Sequence, residues 1–122
     1  MNVDQMRPKS RGEIQLNKNN IYGNPKLTFN YLKDSFDVKE MIEAVRVARD
    51  LVNQPAFDRF KGKELTPGSE FSEDKDLERF LRAKVETAYH PCGTCMMGDR
   101  DGAVVDNNFK VHETEGLRVV DA

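Results

Sequence analysis

Apolar and polar residues alternate in two stretches near the start of the chain. In "GEIQLN" (12–17) Ile14 and Leu16 share one face, and in "KLTFNYL" (26–32) Leu27, Phe29 and Tyr31 do the same. A period of two is that of a strand. The turn formers of "NKNNIYGNP" (17–25) lie between them, so one antiparallel sheet with a long connection is expected. At Asp37 the period lengthens: Val38, Met41, Ile42, Val45, Ala48 and Val52 recur at helical spacing, and Asp37 with Glu40 has the spacing of a capping box. This predicts a helix that stops near Gln54, because Pro55 disfavours helical geometry at the residue before it. On its solvated face, Arg46 is spaced to pair with Glu43 or Asp50.

After the loop "KGKELTPGSEF" (61–71), Ser72 is the expected cap of a second helix with Glu73, Asp74 and Asp76 in its first turn. Leu77, Phe80, Leu81 and Val85 form its apolar stripe, and the helix ends before Pro91. Short strands at 103–105, 109–112 and 117–120 are expected next, the last running into the chain end. Strands, then helices, then strands give an α+β fold, an antiparallel sheet packed with helices.

Length and composition narrow this picture. The 122 residues suit one domain with one core. A hydrophobic fraction of 38%, a charged fraction of 33% and a mean hydropathy of −0.71 are lean for a core, so packing against a further partner is expected. The 19 basic and 21 acidic residues are interspersed for a net charge of −2, which argues against nucleic acid as a partner. "RPKSR" (7–11) reads as a solvated loop. No apolar run reaches the roughly 18 residues of a spanning helix, and no targeting signal is present in the segment. Two cysteines make no secreted disulfide framework, so a reducing compartment fits better.

The chemistry concentrates in "YHPCGTCMMG" (89–98). His90, Cys92 and Cys95 supply three metal-ligand types where a structural zinc site takes four. A redox C-x-x-C belongs at a helix N-terminus, whereas this one follows a predicted helix. The G-x-x-x-x-G spacing of Gly93 and Gly98 is followed by Asp99-Arg100 rather than Lys and Ser or Thr, which excludes a phosphate loop. A tight turn with Cys92, Cys95 and the methionines as packing is one remaining reading. A loop in which His90 exchanges protons beside small residues is the other.

Taken together, "MRPKSRGEIQL", "FNYL", Pro67-Gly68, "ETAYHPCGTCMMG" and "VVD…VHETEGLRVVDA" resemble the C-terminal part of the glucose-methanol-choline (GMC) flavin oxidoreductases. The agreement covers nearly the whole chain and is strongest, in "NQPAFDRFKGKE" and "HPCGTC", with the choline-oxidising members. The resemblance implies oxidation of choline to betaine aldehyde, on the way to glycine betaine, with hydride passed to FAD. It implies that His90, in the H-P-x-G-T motif, is the base beside the substrate hydroxyl, and that Asp121 and Ala122 neighbour the flavin. It divides the chain into substrate-domain strands and helices (1–88) and an active-site loop with C-terminal strands leading to the FAD domain (89–122). The FAD-binding domain and a second active-site residue, an asparagine or histidine, are then expected outside this segment. The chain alone is expected to be inactive and to self-associate, and the parent to be cytoplasmic or membrane-associated.

Two departures from the family pattern are Glu113 in "VHE", where V-H-G is usual, and Met96, where a lysine is common. Neither removes His90. Alternatives are another GMC-type alcohol dehydrogenase and, from a different class, a small metal-binding or structural domain using Cys92 and Cys95. Tyr89 is assigned to core packing, His112 to a polar strand position, and Met6, Met41, Met96 and Met97 to packing.

Overall fold

Two short strands, β1 (Glu13–Gln15) and β2 (Lys26–Thr28), pair in a two-stranded antiparallel sheet. In this computed structural model, which describes residues 1–99 and 101–122, the second strand is shorter than its alternation predicts. Asn30 (φ 56°) and Leu32 (φ 57°) adopt left-handed backbone, which ends extended pairing. Phe29 and Tyr31 instead stack on each other, with ring centroids 5.1 Å apart. At Gly12 a Cβ would lie 2.4 Å from the Thr28 carbonyl oxygen, so this close approach requires glycine.

Helix α1 (Ser35–Val52) begins before the expected start. Its cap is Asp34, whose carboxylate accepts the N–H of Phe36 at 2.8 Å. Asp37 therefore sits inside the first turn and does not form the expected capping box. It is 1% exposed, and it accepts the backbone N–H groups of Lys9 and Ser10 at 2.7 Å each and the Gln5 amide at 3.0 Å. A buried carboxylate is stable only with such donors, and "RPKSR" provides them by folding back. The helix ends at Val52, and a single 3-10 turn, Pro55–Phe57, follows where Pro55 predicted a break.

Helix α2 (Asp74–Lys84) has Glu73, not Ser72, at its cap position, with no side-chain cap bond. Asp74 and Asp76 in its first turn complement the helix dipole. Asp74 also pairs with Arg46 of α1, which takes neither of its expected partners on its own helix. Leu32, the α1 residues Val38, Met41, Ile42 and Val45, and the α2 residues Leu77 and Leu81 form the core, flanked by Val3, Phe71, Phe80 and Val85. Burying a side chain such as Leu77 contributes roughly 1.5–3 kcal/mol. Arg49 fastens the loop after α1: its guanidinium grips Glu64 at 3.0–3.2 Å and donates to the carbonyls of Gly68 (3.0 Å) and Phe71 (2.9 Å).

The chain forms two units, one of Met1–Gly12 and Thr28–Glu86, the other of Glu13–Leu27 and Thr87–Ala122. The helical core belongs to the first. In the second, the three expected C-terminal strands are reduced to isolated bridges: Met97 with Val105, Val105 with Val111, and Lys110 with Arg118. Val105, 2% exposed, is where two of these bridges meet. Loops shape this region more than strands because Asp106 takes the N–H groups of Asn108 (2.8 Å) and Lys110 (2.9 Å), folding "DNNFK" into a tight turn. Those bonds, that of Lys110 foremost, hold the Asp106 carboxyl below its usual range.

Candidate active site

Beyond α2, Thr87 accepts the backbone N–H of Tyr89 on its hydroxyl at 2.9 Å. Tyr89 takes left-handed backbone (φ 63°), and its ring is 80% exposed. The expected core packing of Tyr89 is thus overturned. His90 follows outside any helix or strand and is exposed, and its imidazole has no hydrogen bond among the described residues. Both ring nitrogens are available to a bound group.

The loop after His90 is tied down at three places. The N–H of Gly93 donates to the carbonyl of Ala122 at 2.7 Å. Gly93 has φ +95°, and no heavy atom lies within 4 Å of where its Cβ would stand. The carbonyl of Met96 accepts from Val104 (2.7 Å) and Val105 (3.3 Å). Gly98 donates its N–H to Val105 at 2.9 Å, and its carbonyl accepts from His112 Nε2 at 2.9 Å.

Of the expected site residues, Ala122 is the one with a backbone bond, among the described residues, to the loop that bears His90. The His90 loop and the 119–122 segment meet through Gly93 and Ala122. Asp121 and Ala122 are both exposed. The two cysteines are free thiols, Cys92 exposed and Cys95 half-buried. Among the described residues no three His, Cys, Asp or Glu side chains gather as metal ligands. Met41 packs in the core, while Met6 is 89% exposed and does not pack.

Two features escaped the sequence. The contact of Gly93 with Ala122 joins positions far apart in the chain, and no periodicity announces it. His112 read as a polar strand residue, yet its ring ends on the Gly98 carbonyl, and only its place in a V-H-E segment hinted at a special position.

Comparison with known proteins gives a consistent answer. The family profile described as GMC oxidoreductase matches residues 8–122. An oxygen-dependent choline dehydrogenase of Chromohalobacter salexigens is 46% identical over 120 residues, 98% of this chain and 22% of the relative. One of Burkholderia multivorans is 47% identical, covering 98% of this chain and 21% of the relative. The chain thus spans about a fifth of the length of these curated relatives. Among solved structures, pyridoxine 4-oxidase from Mesorbium loti superposes with a TM-score of 0.85 at 30% identity, covering 94% of this chain and 22% of that one. A fungal aryl-alcohol oxidase gives 0.80 at 33% identity over 93% of this chain and 19% of its own. With a profile match over almost its entire length, the chain belongs to the GMC oxidoreductase family.

Proposed function

We propose that the chain is the substrate-domain and active-site-loop portion of an FAD-dependent choline dehydrogenase, with His90 as the base that takes the proton of the alcohol hydroxyl. The observation that carries this reading is the hydrogen bond from Gly93 to Ala122. It draws the loop of His90 to the segment that the family resemblance assigns to the cofactor. Choline is favoured over other alcohols by the 46–47% identity to choline dehydrogenases, against 30–33% to the pyridoxine and aryl-alcohol oxidases.

The residues fit FAD at this place. Open space beside Gly93, the small side chain of Ala122 and an imidazole with no hydrogen bond among the described residues leave room for a planar ring to approach the backbone. Asp121 and Ala122 are the residues that would border it. FAD, when bound, supplies the hydride acceptor. An uncharged His90 accepts the O–H proton as the C–H bond of the same carbon is broken, so charge does not accumulate on the alcohol oxygen. Residues 1–88 then form the substrate-domain scaffold, and residues 89–122 the catalytic loop and the return toward the FAD-binding part of the same parent chain. Separated from that part the segment is without its oxidant and inactive, and exposed apolar side chains such as Tyr22, Phe60 and Leu65 favour self-association. Among the described residues no helix is long and apolar enough to cross a membrane.

The test is His90→Ala in the full-length, flavin-loaded protein. Choline turnover is expected to fall on the order of 100-fold or more. Unchanged turnover would remove His90 from the chemistry, and a preference for another alcohol in a substrate panel would replace choline.

A further inference from the structure

We infer that His112 is a positioning residue: its Nε2–H, donated to the Gly98 carbonyl, fixes the far end of the loop that bears His90. The inference rests on the reading of His90 as the base and adds a residue that neither the sequence motif nor the chemistry of His90 requires.

The loop from Tyr89 to Gly98 is also held by the Thr87 hydroxyl, which takes the Tyr89 N–H, and by main-chain bonds. Gly93 is tied to Ala122, Met96 to Val104 and Val105, and the N–H of Gly98 to Val105. The carbonyl of Gly98 is met by a side chain instead, the Nε2 of His112 at 2.9 Å. A carbonyl only accepts, so Nε2 carries the hydrogen. The neutral Nε2–H tautomer and the imidazolium both satisfy this requirement, and the tie therefore does not depend on the charge of His112.

The geometry of His112 is itself fixed. Its backbone N–H donates to Val104 at 3.0 Å, and the preceding residue, Val111, bridges to the buried Val105. The ring thus reaches Gly98 from a backbone anchored on the same segment that holds Met96 and the Gly98 N–H. Without this tie, the Met96–Gly98 end keeps its main-chain bonds to Val104 and Val105 but loses its anchor at the Gly98 carbonyl, and a shift there is passed along the loop to His90. Misplacement of a reacting group by about 1 Å costs up to about 100-fold in rate. A loop retaining its other ties is expected to lose less, about 10-fold.

The experiment compares His112→Leu and His112→Gln in the full-length, flavin-loaded protein, with His90→Ala in parallel. The glutamine amide nitrogen occupies the place of Nε2 and keeps a donor, whereas leucine keeps only bulk. Expected is a fall of about 10-fold in kcat for H112L with KM little changed, and recovery to within about 3-fold of the unmodified protein for H112Q. Unmodified kcat in H112L, or H112Q as slow as H112L, overturns the inference. If H112L does not load flavin, H112N replaces it, because its shorter amide cannot reach Gly98. It is then expected to be about 10-fold slower than H112Q, and equal rates overturn the inference. Silent His112 variants beside an inactive H90A sink this inference alone, whereas a fully active H90A sinks the function it rests on.

Discussion

Gly93 donates its backbone N–H to the carbonyl of Ala122 at 2.7 Å, joining two segments that lie nearly thirty positions apart. Because both partners are main-chain atoms, the contact depends on backbone shape rather than on side-chain identity. Its weak point is the conformation of Gly93, whose φ of +95° is one that residues with a Cβ rarely adopt.

Gly93→Ala tests that point. Nothing lies within 4 Å of the added methyl, so the cost comes from backbone strain and not from a clash. About 1–2 kcal/mol is expected, together with weaker retention of flavin by the full-length protein. Thermal melts and flavin absorbance after gel filtration measure the two effects. A variant with unaltered melting and flavin content would mean that the loop tolerates a different path at residue 93.

The helices were legible because burial on one face imposes a period, and the stripe from Val38 to Val45 is buried as that period requires. Their starts were less so. Asp37 has the residue type and spacing of a cap, but a carboxylate that meets the donors of Lys9 and Ser10 serves a long-range contact, which local spacing does not encode. The C-terminal strands failed for a related reason. Alternation in a stretch of three or four residues is met equally by isolated bridges around Val105, where turns at Asp106 and Gly116 interrupt any longer ladder. At the candidate site, the position of His90 in a loop past the second helix was readable from the apolar stripe and Pro91. The partners of its loop were not, because Ala122 and His112 act through a carbonyl and a ring nitrogen brought together only by folding.

Arg49→Lys is expected to loosen the loop after α1. Arg49 and Glu64 are both mostly shielded, with side chains 23% and 32% exposed. A lysine ammonium is a single point of charge and does not reproduce the fork on Glu64 together with bonds to Gly68 and Phe71. A loss of about 1–3 kcal/mol is expected, with faster proteolysis within 61–71. Denaturant melts and limited proteolysis read these directly, and a lysine variant matching the parent in both would show that the fork contributes little.

Asp37 gives the chain a specific acid sensitivity. Burial pushes its carboxyl upward, but bonds from the Ser10 hydroxyl, the Lys9 and Ser10 backbone and the Gln5 amide outweigh it and hold the pKa at about 2, against an ordinary 3.8. Because the folded value lies below the unfolded one, the unfolded chain binds more protons between them. The stabilisation is therefore complete above about 4 and is lost as pH falls through 3.8 toward about 2. Asp37→Asn removes the charge, leaves two backbone donors with one acceptor oxygen, and is expected to cost about 1–3 kcal/mol at neutral pH. It also removes this residue's share of the acid loss. Urea melts at neutral pH, pH 4 and pH 2.5 should bring the two proteins closer together as the pH drops. A constant gap between them at all three values would mean that the strap of Lys9 and Ser10 is held by something other than the ionised carboxylate.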